Sequence, residues 1–348
     1  MSVSPRSVAS SSALSRSVIV TRLRAAGCVF AEDEAELLIS TASTPDDLAA
    51  MVERRVAGLP LEHVLGWAEF CGLRIAVNPG VFVPRRRTEF LARQATALAR
   101  QTAGLTDQVV TPVRHRLVSP VDQATAAARP AAGPAGPAGP ADSTDSTDST
   151  DSTDSTDSTD QARARPRIVV VDLCCGSGAV GAALVAALDQ VELHAVDIDP
   201  AEVRCARRNV AAGQVYEGDL YEPLPARLRG HVDILVASAP YVPTEAIGLL
   251  PPEARIYEPW VALDGGADGL DIVRRVIAEA SEWLAPGGYL LVETSERQAP
   301  QTVETFTRNG LIPRVTSSDD LDATVVIGTL NSTVVIGTRP ALPEGSGG

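Results

Sequence analysis

The chain has 348 residues, 45% of them hydrophobic, and a formal net charge of −14. That length suggests roughly two domains with ample core, and the acidic balance does not favour a broad basic face for gripping nucleic acid. No stretch approaches the ~18–20 uninterrupted apolar residues of a membrane helix, so no membrane partner is expected.

The N-terminal thirty residues are rich in Ser and Arg and lack acids. A transit peptide looks similar, but the apolar pattern from Val18 onward already reads as folded helix. Residues 1–17 are expected to be disordered. Between 17 and 57, apolar residues recur at three- and four-residue steps, which predicts a run of helices. Gly27 and Gly58 look like stops, and "STPDD" supplies a cap with Pro45 in the first turn. Residues 68–83 alternate like a short hairpin, with Asn78-Pro79-Gly80 as its turn. A helix follows from Thr88 to about Gln101.

Residues 104–165 are of another kind. A Pro/Gly/Ala-rich run precedes a pure Asp-Ser-Thr repeat, which carries seven of the acidic charges between Asp142 and Asp160. Neither composition can bury a core, so a disordered linker is expected. The repeat lacks the glycine and the closing glutamate of a calcium loop.

From Arg167 strands and helices alternate, which argues for a parallel, doubly wound α/β sheet. Near the end "TVVIGT" occurs at 324–329 and again at 333–338. One copy suffices for a closing strand, and the sequence does not say which.

Chemistry is narrowed by what is missing. The chain has no lysine, which excludes Schiff-base chemistry and a P-loop. Its five cysteines form no CxxC pair and its four histidines are scattered, so no metal site is expected. An odd cysteine count suits a reducing compartment. Against this background "VVDLCCGSG" (170–178) reads as strand, Asp172, glycine turn, helix. Such a turn lets backbone approach a ligand closely, though packing glycines alone would look alike. Asp197 ends the second strand about 20 residues on, where an acid accepts from ribose hydroxyls. Asp219 follows the third strand and is placed to accept from an adenine amino group. Three acids at three successive strand ends describe an adenosine crevice without a phosphate cradle.

That combination resembles the class I methyltransferases that use S-adenosylmethionine. "VASAPYVP" (236–243) sharpens it, because amino-group methyltransferases carry Asn/Asp-Pro-Pro-Tyr/Phe/Trp at this place. "PLEHVLGWAEFCGLRIAVNPGVFVPRRRTEFL" (60–91), "YEPWVALDGGADGLDIVRRVI" (257–277) and "LAPGGYLLVE" (284–293) narrow it further. They are similar to the protein-(glutamine-N5) methyltransferases that act on peptide chain release factors, the HemK/PrmC type. The resemblance covers 18–103 and 167–329.

The resemblance implies a Rossmann-like, seven-stranded methyltransferase domain over 166–340, behind an N-terminal helical domain with connecting hairpin over 18–103. Residues 341–348 are then a tail. It implies a cofactor site at Asp172, Cys174, Cys175, Gly176, Ser177 and Gly178, with Asp197 on the ribose and Asp219 and Leu220 near the adenine. Ser238, Ala239, Pro240 and Tyr241 would hold the target glutamine amide, with Ser238, Pro240 and Tyr241 in the catalytic role and Ser238 also beside the cofactor. In the family the asparagine oxygen and the next backbone carbonyl accept the amide N–H groups, and the aromatic ring packs on the amide plane. No metal is needed. The expected chain is a cytoplasmic monomer with a protein substrate and no direct nucleic-acid binding.

Three departures qualify the match. Cys174 stands where the family has its first glycine, and is expected to fit with φ < 0. "VETSERQ" lacks the family's usual glycine after the glutamate. Ser238 stands for asparagine, and its hydroxyl is shorter by about one bond and lacks the amide's reach. Slow turnover is expected from that change. Two rival readings remain: an adenine or cytosine amino-methyltransferase on RNA or DNA, and a non-catalytic cofactor-binding module. Arg85-Arg86-Arg87 is either a solvated turn or a contact with an acidic partner or ribosomal RNA.

Overall fold

The computed structural model describes residues 14–104 and 167–331. The expectations for the linker, the second "TVVIGT" and the tail therefore lie outside the described residues, as does most of the expected N-terminal disorder. Helix α1 (Arg16–Ala25) already begins within that N-terminal stretch.

Four helices open the described chain: α1, α2 (Ala31–Thr41), α3 (Pro45–Val56) and α4 (Leu61–Leu65). The start of α3 follows from its sequence. Thr44 Oγ1 accepts from Asp47 N at 3.1 Å, Pro45 sits in the first turn, and Asp46 and Asp47 face the positive end of the helix dipole. Ile19, Leu23, Leu38 and Val52 meet in a small core of their own. Beside it lies Arg55, 7% exposed. Its guanidinium grips Glu34 through Nε at 2.6 Å and Nη2 at 3.0 Å. Nη1 reaches Leu59 O at 2.9 Å and Glu253 Oε1 at 2.5 Å.

Strands β1 (Trp67–Phe70) and β2 (Leu73–Ala76) form the expected hairpin, but its turn is Cys71-Gly72, not Asn78-Pro79-Gly80. Both turn residues have positive φ, 50° and 74°, as a two-residue hairpin turn with the right-handed strand twist demands. Asn78-Pro79-Gly80 makes a separate turn beyond the ladder, closed by Val81 N to Asn78 O. Helix α5 (Thr88–Thr102) then leaves the helical domain. Its Leu91, Ala95 and Leu98 pack on the main sheet, so the unit expected over 18–103 is divided between two cores.

The main sheet has seven strands in the order β5-β4-β3-β6-β7-β9-β8. They are β3 (Ile168–Leu173), β4 (Val191–Asp197), β5 (Gln214–Glu217), β6 (Val232–Ala237), β7 (Leu284–Thr294), β8 (Leu311–Ser318) and β9 (Ala323–Leu330). Alternation along the strands fills two layers. Val170, Ile234 and Leu291 face α5 and α6 (Ala179–Ala187). Val171, Leu235 and Val292 face α9 (Asp271–Trp283) and α10 (Ala299–Arg308). Helix α7 (Pro200–Asn209) crosses from β4 to β5, and the short α8 (Pro252–Tyr257) lies between β6 and α9.

One expectation is corrected. The sheet is mixed, because β9 runs antiparallel to both β7 and β8. Only residues 319–322 join β8 to β9. That is too short for a parallel crossover and suits a hairpin. The first "TVVIGT", 324–329, lies inside the sheet as part of β9.

Arg55 yields a stability prediction. Removing it leaves Glu34 buried without its cation, which typically costs about 3–5 kcal/mol. Arg55→Ala is expected to lower the urea midpoint by a corresponding amount, while Arg54→Ala does not.

Candidate active site

Strand β3 delivers Asp172 to the carboxyl edge of the sheet, where it is 1% exposed. Its Oδ2 accepts from Gly181 N at 2.9 Å, pinning the first turn of α6. Burial pushes its carboxyl up to about 7, with Asp197 adding to the rise and the Gly181 bond opposing it. The turn between β3 and α6 carries three left-handed residues: Cys174 at φ 53°, Gly176 at 55° and Gly178 at 77°. The expectation of φ < 0 at Cys174 is therefore wrong. The tight strand-to-helix reversal imposes a glycine-type conformation on a residue with a Cβ. At Gly178 the reason for glycine is packing, since a Cβ there would meet Val210 Cγ2 at 2.9 Å.

Two cavities open along the same sheet edge. The first is lined by Cys174, Gly176, Asp197, Asp219, Leu220 and Ser238, and by apolar Phe82, Ile198, Val261 and Ile272. Asp197 ends β4. Its Oδ2 accepts from Gly176 N at 2.8 Å and its Oδ1 from Asp199 N at 3.0 Å, so it ties β4 to the turn. Burial raises its pKa, and the Asp199 and Gly176 bonds hold the rise back. Asp219 Oδ2 is engaged by Arg275 Nη2 of α9 at 2.7 Å. Glu202, on the first turn of α7, also lines this cavity and is 1% exposed.

The second cavity, about 370 Å³, is lined by residues 238–242, by Arg85, Arg87 and Thr88, and by Glu253 and Glu293. Ser238 and Pro240 border both cavities, as does Phe82. Ser238 Oγ lies 3.4 Å from Glu293 Oε2, and Tyr241 Oη lies 3.3 Å from Glu293 Oε1. Both contacts are long for O–H···O bonds. Glu293, 2% exposed, rides on β7 beside β6. Burial raises its pKa, while bonding from Thr88 and the charge of Arg87 oppose the rise. Tyr241 is pushed up to about 12, mainly by burial and by Glu293. From behind, Gln298 Nε2 donates to Tyr241 O and Asp268 O, each at 3.0 Å. Gly269 must be glycine for this brace, because a Cβ would stand 2.3 Å from Tyr241 O.

Comparison with known proteins decides between readings of this edge. A family model described as "Methyltransferase small domain" matches residues 160–247. A release factor glutamine methyltransferase of Geobacter sulfurreducens is 30% identical over 82% of this chain and 78% of its own. One of Mycolicibacterium smegmatis is 31% identical over 83% and 82%, and one of Gloeobacter violaceus 31% over 76% and 72%. The chain belongs to the release factor glutamine methyltransferase family. Among solved structures, a methyltransferase of Pyrococcus furiosus aligns over 47% of this chain and 76% of its own, at 16% identity and TM-score 0.37.

The residues expected for this family's site fall into two groups. Cys174, Gly176, Asp197, Asp219, Leu220 and Ser238 share the first cavity, and Ser238, Ala239, Pro240 and Tyr241 share the second. Asp172, Cys175, Ser177 and Gly178 stand behind the wall. They are occupied with the Gly181 bond, with packing on Ala195 and Ala206, with a carbonyl bond from Asn209, and with contact to Val210. Arg85 is not the solvated residue one reading had it. It pairs with Glu258 Oε2 at 2.5 Å and lies over the Phe82 ring. Arg86 and Arg87 are exposed. Sequence reasoning missed Phe82, Glu202, Arg275 and Glu293. Glu293 alone had a visible signal, as the acid closing an apolar strand in "LLVET".

The first cavity fits S-adenosylmethionine on its own chemistry. Gly176 leaves backbone open at the wall, and the acids Asp197, Glu202 and Asp219 suit a ligand that carries hydroxyls, an amino group and positive charge. Among the described residues no His/Cys/Asp/Glu cluster could hold a metal ion, and no helix is long and apolar enough to cross a membrane.

The Cys174 backbone gives a direct test. Cys174→Gly relieves a left-handed L-residue and is expected to stabilise the protein by about 1 kcal/mol. A urea midpoint raised at unchanged slope would show it.

Proposed function

We propose that this chain transfers a methyl group from S-adenosylmethionine to the side-chain amide nitrogen of a glutamine in a peptide chain release factor. The observation that carries the reading is the meeting of the two cavities at Ser238 and Pro240. A donor in one and an amide in the other face each other across that shared rim. The bound cofactor supplies an electrophilic methyl group on a sulfonium centre.

The protein's task is to make a poor nucleophile react. An amide nitrogen has its lone pair delocalised into the carbonyl, so positioning and fixed dipoles must do most of the work. Ser238 Oγ and the Ala239 carbonyl accept the two N–H groups, and the Tyr241 ring supports the amide plane. Glu293 fixes the sense of the serine. As donor to Glu293 Oε2, the Ser238 hydroxyl turns its lone pairs to the amide. Tyr241 is oriented by the same carboxylate and by the Gln298 brace behind its backbone. Asp197, Asp219, Leu220, Cys174 and Gly176 hold the cofactor. The substrate class makes this a cytoplasmic enzyme, which the five free cysteines suit, and it acts as a monomer without gripping nucleic acid.

Mass spectrometry of a release factor after incubation with the protein and S-adenosylmethionine tests the reading. One added methyl group on a glutamine is expected, whereas label in RNA would overturn it. Restoring the family's asparagine tests Ser238. Recovering a full acceptor in a buried site is worth about 1–3 kcal/mol, so Ser238→Asn should raise kcat by about tenfold to hundredfold. Equal rates would mean that the serine does not limit turnover.

A further inference from the structure

Glu202 is the odd acid of the first cavity. It is 1% exposed, and its two oxygens fare differently. Oε1 accepts from Phe82 N at 2.6 Å, which docks the segment before α5 onto α7. Oε2 is fully buried and has no hydrogen-bond partner. It lies 3.7 Å from where a Cβ on Gly176 would stand, beside the glycine turn at the cavity wall. Buried polar atoms are rarely left unpaired without a reason.

The surroundings say what kind of partner is missing. Asp197 and Asp199 face Glu202 from the end of β4, Glu258 faces it from the segment after α8, and the thiols of Cys175 and Cys205 are also close. Arg85 is spent on Glu258. A neutral hydroxyl would not relieve so much negative charge. A cation with N–H groups would do so and would also fill the empty acceptor. S-adenosylmethionine has two cationic centres. The sulfonium carries no N–H and must face the Ser238 rim for transfer. The α-ammonium has three N–H donors.

We propose that Glu202 receives the α-ammonium of the bound cofactor at Oε2 and surrenders a proton to solvent as it does so. The inference rests on the S-adenosylmethionine reading of this cavity. In the free protein burial pushes the Glu202 carboxyl up to about 8, with Asp197, Asp199 and Glu258 adding to the rise and the Phe82 bond opposing it. At pH 7 the free group is therefore mostly protonated. The carboxyl O–H bond breaks on binding, the proton leaves to water, and the carboxylate is held by the ammonium. Affinity then rises with pH toward about 8, because binding competes with the proton, and falls again where the ligand's own α-ammonium loses its proton.

Calorimetry with two probes tests this. S-adenosylhomocysteine keeps the α-ammonium, whereas 5′-methylthioadenosine has the nucleoside and lacks it. Titrations at pH 7 in buffers of different ionisation enthalpy count the protons released. Wild type is expected to release about one proton with S-adenosylhomocysteine and none with 5′-methylthioadenosine, a contrast that needs no variant. Glu202→Gln should abolish the release. It should also weaken S-adenosylhomocysteine at least tenfold at pH 8.5, less at pH 6, and leave 5′-methylthioadenosine unchanged. Equal proton counts for the two probes, or equal loss of both in the variant, would overturn the role and leave Glu202 as the dock for Phe82. Failure of wild type to bind 5′-methylthioadenosine would instead strike the adenosine site, and this inference with it.

Discussion

The pairing of β3 with β6 is the constraint on which the site depends. These strands are parallel neighbours, with Leu173 opposite Ala237, yet some sixty residues separate them in sequence. Chain leaving β3 goes to α6 on one side, and chain leaving β6 goes toward α9 on the other. Divergence at a switch of strand order opens a crevice at the carboxyl ends, where open α/β sheets bind ligands. The glycine turn and the Ser238 motif thus come to the same edge through backbone ladders. No side-chain contact between them is needed.

Around that crevice the protein spends its acids in distinct ways. Asp172 and Asp197 bind backbone N–H groups and hold the turn. Asp219 is paired with Arg275, and Glu258 with Arg85. Glu293 serves Ser238 and Tyr241. Carboxylates so close together repel, and burial adds to the cost, so each persists through a specific donor. Glu202 Oε2 is the exception, buried and without a hydrogen-bond partner.

Much of this architecture is legible in the sequence. The strand periods, the glycine turn and the strand-end acids give the sheet and the cofactor edge, because burial and turn geometry leave direct marks on residue type. The hairpin turn is hidden because Asn78-Pro79-Gly80 is the stronger turn signal, while Cys71-Gly72 needs positive φ at two residues of which only one is glycine. The Cys174 backbone is hidden for the same reason: left-handed φ at a non-glycine residue leaves no compositional trace. The reversal of β9 followed from the brevity of residues 319–322, which is visible once both strand limits are known. Glu202 and Glu293 could not be singled out, since their significance is in what surrounds them. An acid on a helix's first turn ordinarily signals no more than a favourable dipole contact.

Arg55 gives the helical domain a bearing on the second cavity. Its guanidinium belongs to the helical core, but one of its acids, Glu253, belongs to the cavity wall on α8. Lifting the helices away would strip Glu253, half exposed on that wall, of its cation. The small helical core and the wall of the second cavity are therefore tied to each other through this ion pair.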